Sequence, residues 1–226
     1  MSKLHILLIT GGHPFEREPL LDLFKSMHDI DFSEGVHPEV LQLFQPERLR
    51  AYDALVFYDF GQTLPPQAQQ HLQAALSGGQ GAVLLHHSIH NYLNWPEYRK
   101  IVGGQWVEKR IQVDGKEYGP SRYGLDAKMN VRIADPNHPV VQGLSDFEIV
   151  DEWYADYFID PEVQVLLRTD HPDSEAKIAW TKSYGRSKIV YLQSGHGPTA
   201  YRNPNFQRLV SQSIHWVSGK GSTTES

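Results

Sequence analysis

The stretch that decides the fold runs Gly81-Ala-Val-Leu-Leu-His86-His87-Ser88-Ile-His90-Asn91. Its apolar part follows a glycine-rich run at residues 77–81 and is typical of a fully buried strand. The chain then changes abruptly to three histidines within five residues. A buried strand that ends in titratable side chains is typical of the carboxyl edge of an open α/β sheet. We therefore expect the functional site at this point of the chain.

Other strong strands are followed by helices in the order expected of an α/β protein. An apolar strand at residues 4–10 leads through Gly11-Gly12 into an amphipathic helix at residues 19–27. A second strand at residues 54–59 leads into a helix at residues 65–76, which precedes the strand at residue 81. Strands that alternate with helices in this way predict a parallel sheet with helices on its faces.

The middle of the chain changes character, because the helical period disappears between residues 105 and 135. Asp114-Gly115 indicates a hairpin and residues 129–133 a strand, so we expect a β-rich excursion packed beside the main sheet. Further strands are predicted at residues 147–150 and 163–167, and weakly at 31–33. A hairpin follows at residues 177–192, and the last helix is predicted at 205–217.

Length and composition bound the class of protein. The chain has 226 residues, 40% of them hydrophobic and 21% charged, which fits one globular domain over residues 1–218. Residues 219–226 are small and polar and are expected to form a disordered tail. The net charge of −6 argues against a nucleic-acid partner. With no membrane-length apolar run, no signal peptide and no cysteine, we expect a cytoplasmic protein without disulfides or a thiol nucleophile.

Polar side chains follow several of the predicted strands. They are His13, Asp59, the triplet His86-His87-Ser88 and His196, and the pair Asp151-Glu152 is expected to join them. The carboxyl ends of parallel strands share one edge of a sheet, so these groups should converge. Such a cluster suits either a divalent metal ion with an open position for water or a histidine general base oriented by a carboxylate. The spacing matches no known ligand motif, so both chemistries stay open.

Two other interpretations of the same stretches are weaker. Ser88 follows a buried strand as a hydrolase nucleophile would, but His86 and His90 occupy positions where the nucleophile elbow needs small residues. Gly11-Gly12 lacks the spacing of a phosphate-binding loop and is better explained as a tight strand-to-helix turn.

Aromatic residues near the predicted site suggest a sugar ligand. Trp153 and Tyr154 directly follow the acidic pair and are the first candidates for substrate contact, with Tyr201 as a third. For the remaining aromatic residues, Trp95, Trp106 and Tyr157 among them, a place in the core is the simpler expectation.

Eight motifs occur in a fixed order along nearly the whole chain. They are Gly11-Gly-His13, Tyr52-Asp-Ala-Leu-Val-Phe-Tyr-Asp59, His86-His-Ser88, Trp95-Pro-Glu-Tyr98 with Gly103-Gly104, His138-Pro139 with Gly143-Leu144, Asp151-Glu-Trp-Tyr154, Ala179-Trp-Thr181 with Tyr184-Gly-Arg186, and Gln193-Ser-Gly-His196 with Asn203-Pro204. Together, over residues 4–217, they resemble the trehalose-utilisation (ThuA-like) family.

This resemblance implies a fold similar to class I glutamine amidotransferases: a flavodoxin-like three-layer α/β sandwich with a mainly parallel sheet. In those enzymes a cysteine nucleophile stands on the turn that here reads His86-His87-Ser88, and His196 resembles their later histidine. Because this chain has no cysteine, it cannot form their thioester, and glutaminase activity is excluded. The family's association with oxidoreductases that make 3-keto sugars suggests a sugar substrate.

The sequence therefore predicts a sugar-metabolism protein, with an isomerase, lyase or hydrolase of disaccharide or keto-sugar derivatives as the leading reading. His87, His196 and Glu152 are predicted as the catalytic residues and as ligands of zinc, manganese or nickel. His13, His86, His90, Trp153, Tyr154 and Tyr201 are predicted to contact the substrate. We expect no nucleotide cofactor, no nucleic-acid partner and no membrane partner, and the sequence leaves a homo-oligomer open. The alternative is a non-catalytic carbohydrate-binding or regulatory module on a degenerate amidotransferase scaffold.

Overall fold

The computed structural model describes residues 3–220 and has a large sheet between two layers of helices. The strands are β1 (Leu4–Gly11), β2 (Ile30–Val36), β3 (Ala54–Asp59), β4 (Ala82–Leu85), β5 (Gly104–Gln105), β6 (Ile111–Val113), β7 (Lys116–Tyr118), β8 (Arg122–Ile133), β9 (Phe147–Ala155), β10 (Phe158–Ile159), β11 (Gln164–Thr169), β12 (Lys177–Tyr184) and β13 (Ser187–Leu192). The α-helices are α1 (Arg17–Lys25), α2 (Pro46–Leu49), α3 (Pro66–Ser77), α4 (Pro96–Val102), α5 (Pro198–Tyr201) and α6 (Pro204–Ser218).

The main sheet has nine strands in the order β2-β1-β3-β4-β13-β12-β11-β8-β9. Its first five strands pair in parallel, and β8 and β12 run against the other strands. The predicted α/β fold with a mainly parallel sheet is therefore confirmed. Parallel strands put their carboxyl ends at one edge, so β1, β3, β4 and β13 all lead into loops on the same side of the molecule.

The three layers follow from alternation along the parallel strands. Ile6 and Leu8 of β1 face one core, which also contains α1 and α6, while Leu7 and Ile9 face the other core with α3 and α4. Successive side chains of a strand point to opposite faces, so a strand with both faces buried must be apolar throughout. For this reason the central strands appear in the sequence as continuous apolar runs.

The β-rich middle of the chain extends the main sheet instead of packing beside it, which corrects the expectation from sequence. Strand β8 pairs with β9 and β11 and thereby joins the nine-stranded sheet. Only short parts stay separate: β6 and β7 form the hairpin predicted at Asp114-Gly115, and β5 pairs with β10. Much of β8 is exposed to solvent, so its sequence contains many polar residues and few apolar ones. For this reason its full length of 12 residues was not recognisable from the sequence.

Strand β9 lies at the end of the strand order and yet contacts the loop that follows β13. The Asp151 carboxylate accepts the backbone N–H groups of Gly195 and His196 at 2.7 and 3.0 Å. The antiparallel half of the sheet therefore curves back over the carboxyl edge of the parallel half. This curvature brings residues of β9 to the loops that carry the histidines.

Two further expectations concern the ends and the surface of the chain. Helix α6 ends at Ser218, where Gly219 adopts a left-handed φ of 72°. Most of the predicted tail, residues 221–226, lies outside the described residues. Within the described part of the chain, the helices are too short or too polar to cross a bilayer.

Candidate functional site

A cavity of about 470 Å³ opens at the carboxyl edge of the parallel strands. Loops after β1, β3, β4 and β13 form one side of it, and β8 and β9 form the other. Its lining combines imidazoles, aromatic rings and one carboxylate: His13, Phe60, His86, His87, Ile89, His90, Trp106, Tyr123, Leu125, Glu152, Tyr154 and His196. Small-molecule sites are typically concave and of this size, with a few polar groups among apolar ones.

His86 is the buried centre of the polar cluster. It follows β4 directly and adopts a left-handed φ of 52°, a conformation that is uncommon for residues other than glycine. Its Nδ1 donates to the carbonyl oxygen of Gln193 at 2.7 Å. Its Nε2 lies 2.8 Å from Oε2 of Glu152 and 2.9 Å from the hydroxyl of Tyr154. The ring therefore bridges the backbone after β13 and the side chains of β9.

Glu152 holds a second imidazole with the same oxygen. Nδ1 of His196 lies 2.8 Å from Oε2, and the His196 side chain is 47% exposed. Burial alone would raise the pKa of Glu152, but hydrogen bonds with His196 and His86 outweigh burial and lower that pKa to about 2. The hydrogen bond with Glu152 raises the pKa of His196. Glu152 is therefore a carboxylate at neutral pH, and it favours positive charge on its partners.

Asp151 fixes the loop that carries His196. Besides the amides of Gly195 and His196, its carboxylate accepts the backbone N–H of Glu152 at 2.9 Å. The side chain is buried, and burial raises the pKa of Asp151. The two contacts with Gly195 and His196 tie the loop after β13 to β9, so that Glu152 and His196 keep their separation.

His87 belongs to a different part of the cavity, on the side of the loop after β1. Its Nε2 donates to the carbonyl oxygen of Tyr58 at 3.4 Å, and its Nδ1 lies 3.3 Å from Nε2 of His13. Burial, reinforced by the neighbouring His86, lowers the pKa of His87 well below its ordinary value. His87 is therefore a neutral imidazole at pH 7, and the lone pair of its Nδ1 faces the imidazole of His13.

Aromatic side chains line the rest of the cavity. The rings of Phe60 and His90 are stacked with centroids 4.7 Å apart, and Trp106 meets His90 edge-on at 5.7 Å. Tyr123 and Leu125 of β8 are 60% and 56% exposed at the mouth. These rings present flat apolar surfaces beside the polar cluster.

The structure corrects the set of residues predicted to act together. His87 was grouped with Glu152 and His196, but the imidazole beside these two residues belongs to His86. The left-handed turn at His86 directs its ring toward β9, whereas His87 contacts Tyr58 and His13. His86, Glu152 and His196 each offer a ligand atom, and these atoms all lie within 4.8 Å of one another.

Of the residues predicted to contact substrate, His13, His86, His90 and Tyr154 line the cavity, and Trp153 and Tyr201 do not. Glu152 and Tyr154 lie on the cavity face of β9, so alternation sends Trp153 to the opposite face, where it stacks on His171. Tyr201 is buried beneath the site, with its hydroxyl against that of Tyr58.

The sequence did not identify Phe60, Tyr123 and Leu125 as part of the site and favoured a core position for Trp106. Phe60 directly follows β3, so its position after a parallel strand was the available signal. Tyr123 and Leu125 lie in β8, whose course over the cavity follows from the curvature of the sheet. Ser88, the weak nucleophile candidate, is fully buried and does not line the cavity.

Fold and site together define the class of protein. It is an α/β protein whose cavity, at the carboxyl edge of parallel strands, joins a carboxylate and imidazoles to aromatic walls. The family is shown by comparison of sequences: a family model described as ThuA, trehalose utilisation, matches residues 13–217, and the chain belongs to this family. Comparison with curated proteins finds no match.

Solved structures share the fold. A putative ThuA-like protein from Parabacteroides merdae superposes with a TM-score of 0.82 at 21% identity, over 99% of this chain and 93% of its own. A second, from Bacteroides uniformis, has a TM-score of 0.70 at 20% identity, over 96% and 91%. A cytoplasmic protein from Salmonella typhimurium LT2 has a TM-score of 0.63 at 15% identity, over 95% and 97%. At these identities the likeness extends to the fold alone.

Proposed function

We propose that this chain is an enzyme of sugar metabolism that converts a disaccharide or keto-sugar derivative in the cavity described above. One observation carries the proposal. In a member of a family described as trehalose utilisation, buried imidazoles and a carboxylate share one aromatic-lined cavity of about 470 Å³. A sugar needs both kinds of surface, because its ring faces are apolar and its edge carries hydroxyl groups.

The two polar parts of the cavity suit different roles toward a keto sugar. His87 is the candidate general base, since it lines the cavity, is neutral at pH 7 and has a lone pair on Nδ1, which faces His13. The cluster of His86, Glu152 and His196 is the candidate site for the carbonyl oxygen, because the half-exposed imidazole of His196 lines the cavity beside a fixed carboxylate and can donate a hydrogen bond to that oxygen. Removal of a proton next to a polarised carbonyl is the common first step of isomerisation and of elimination.

The remaining assignments follow from the same proposal. The partner is a small sugar, and Phe60, Trp106 and Tyr123 are the surfaces on which its rings would lie. We place the protein in the cytoplasm, by analogy with the Salmonella protein whose description says so. A homo-oligomer is compatible with this function and is not required by it.

Deuterium exchange tests the proposal without knowledge of the product. Trehalose, other disaccharides and their 3-keto derivatives are incubated with the protein in D₂O and followed by NMR. We expect a keto sugar to exchange the proton next to its carbonyl, and His87→Gln to slow that exchange by about 10²–10⁴-fold, the usual contribution of a general base.

A matched variant separates catalysis from binding. Trp153→Phe alters a neighbouring aromatic residue outside the cavity and should leave exchange unchanged. Sugar binding at wild-type strength without exchange or conversion would instead establish the non-catalytic binding module. Exchange at the wild-type rate in His87→Gln would remove the base assignment.

A further inference from the structure

The hydrogen bond of His86 to the main chain determines which of its nitrogens carries the proton. A backbone carbonyl only accepts, so the 2.7 Å contact with Gln193 requires a proton on Nδ1. In the neutral ring, Nε2 then has a lone pair and no proton. That lone pair points at the Glu152 carboxylate, which is also an acceptor.

Two acceptors at 2.8 Å repel each other unless a positive charge lies between or beside them. The hydroxyl of Tyr154 can donate one proton, to Nε2 at 2.9 Å or to Oε2 at 3.4 Å, and so satisfies one of the two. A cation bound to both atoms would remove this repulsion. Both groups are almost completely buried, so the demand for this charge is strong.

A third atom, Nδ1 of His196, favours the bound cation because it lies close to both of the first two atoms. Oε2 of Glu152, Nε2 of His86 and Nδ1 of His196 form a triangle with edges of 2.8, 2.8 and 3.3 Å. Neighbouring ligand atoms of a tetrahedral zinc ion lie about 3.3 Å apart, given bonds of roughly 2.0–2.1 Å. An ion at such a distance from all three atoms would stand roughly 1 Å out of their plane. A single ion at this position would be shared by all three atoms, including Nδ1 of His196, which faces the same Oε2.

We infer that His86, Glu152 and His196 bind one divalent transition-metal ion of the zinc, manganese or nickel class. Two imidazoles and a carboxylate with an open fourth position are the donor set of a catalytic metal site. The surrounding contacts have the form that such sites need: a ligating histidine donates its other N–H to a carbonyl, here that of Gln193. Asp151 orients the loop of the third ligand through the amide of His196.

The inference deepens the proposed function at the same cluster. A metal ion there would supply a Lewis acid for a sugar carbonyl. The residues of the chain would orient the substrate: the hydroxyl of Tyr154 lies beside the cluster, and the ring of His87 meets that of His86 with centroids 5.1 Å apart. Metal binding is measured directly and not through activity. The metal inference can therefore fail while the protein still converts a sugar, and the protein can bind metal without converting a sugar.

Elemental analysis of untagged, full-length protein is the first measurement. The wild-type protein and the variants His86→Asn, Glu152→Gln and His196→Asn are incubated in turn with zinc, manganese and nickel, then gel-filtered. We expect about one ion per wild-type chain for one of these metals and a loss of at least 10-fold in affinity in each variant. His87→Gln is the matched control, because it replaces an adjacent buried imidazole outside the triangle and should keep the metal.

Folding is checked in the same samples. Circular dichroism identifies variants that stay folded, and added metal should raise the unfolding temperature of the wild type and of His87→Gln but not of Glu152→Gln. His196→Asn changes a half-exposed side chain, so this variant keeps the test decisive if His86→Asn does not fold. Wild-type protein without metal or thermal shift would overturn the inference. Metal retained by folded triangle variants would overturn it equally.

Discussion

The substitution Gly12→Ala tests how two of the loops that line the cavity, those after β1 and β3, are joined. Gly12 follows β1 with φ of +102°, and a Cβ there would lie 1.8 Å from the carbonyl oxygen of Phe60. The backbone N–H of Phe60 also donates to the carbonyl of Gly11 at 2.9 Å. The loops after β1 and β3 are thus in main-chain contact, which brings His13 and Phe60 together with ring centroids 4.9 Å apart.

The expected cost has two parts. A side chain at this φ lies outside the regions that L-residues favour, which costs on the order of 1–3 kcal/mol. The clash involves a backbone atom that cannot rotate away, and displacing it adds about 1–3 kcal/mol. We therefore expect Gly12→Ala to lower the free energy of unfolding by roughly 4 kcal/mol. This is a large share of the stability of an ordinary domain, about 5–15 kcal/mol.

Gly61→Ala is the matched control for backbone strain. Gly61 also has a positive φ, of +62°, but a Cβ there would meet nothing within 4 Å. Gly61→Ala should lower the free energy of unfolding by only about 1–2 kcal/mol, the usual penalty of the left-handed region. Urea unfolding of both variants and the wild type gives the two differences. If Gly12→Ala and Gly61→Ala were equally stable within about 0.5 kcal/mol, the contact between the two loops would have no energetic role.

Three other predictions concern charge, substrate binding and the core. Burial alone would raise the pKa of Asp53, but its hydrogen bonds with Lys220 and His5 outweigh burial and lower that pKa in the folded state. A carboxylate of this kind stabilises the fold at pH values above its ordinary pKa of 3.8. That contribution is lost as the pH falls toward the lower pKa of the folded state. Asp53→Asn should therefore cost about 1 kcal/mol at pH 7 and nothing in acid, and a pH-independent difference in urea unfolding would contradict this. Trp106→Ala should weaken sugar binding about 10-fold in calorimetry while Trp153→Ala leaves it unchanged; the reverse order would restore Trp153 as a substrate contact. Trp180→Phe leaves the buried carbonyl of Val102 without its 2.8 Å donor and should cost about 1–3 kcal/mol in urea, so a loss below about 0.5 kcal/mol would refute that role.

Strand prediction succeeded where burial makes the pattern simple. Strands β1, β3 and β4 are buried on both faces and appear as short apolar runs. Strand β2 pairs only with β1 in the sheet and is partly exposed, so only a weak signal was found. The strand predicted at residues 147–150 stops at Val150, where the apolar alternation gives way to Asp151 and Glu152. In the structure these carboxylates continue the strand, since backbone amides and imidazoles satisfy them.

The sequence predicted which kinds of residue form the candidate site, but only partly which individual residues lie together there. Histidines after β4 and β13 were expected to meet, and they do. Which of His86 and His87 joins Glu152 depends on one backbone conformation, the positive φ of His86. Sequence carries no periodic signal for such a turn, because both residues are histidine and both are buried.

The sequence by itself determined the α/β class, the order of strands and helices in the parallel half, the edge of the sheet at which the candidate site lies, and the absence of a thiol nucleophile. The first three features depend on local patterns along the chain, and the last depends on composition alone. Tertiary structure alone decided that the antiparallel half curves back and brings Glu152 to His86, 66 residues earlier in the chain. The curvature arises from pairing and twist over nine strands, and these are cooperative properties of the whole sheet.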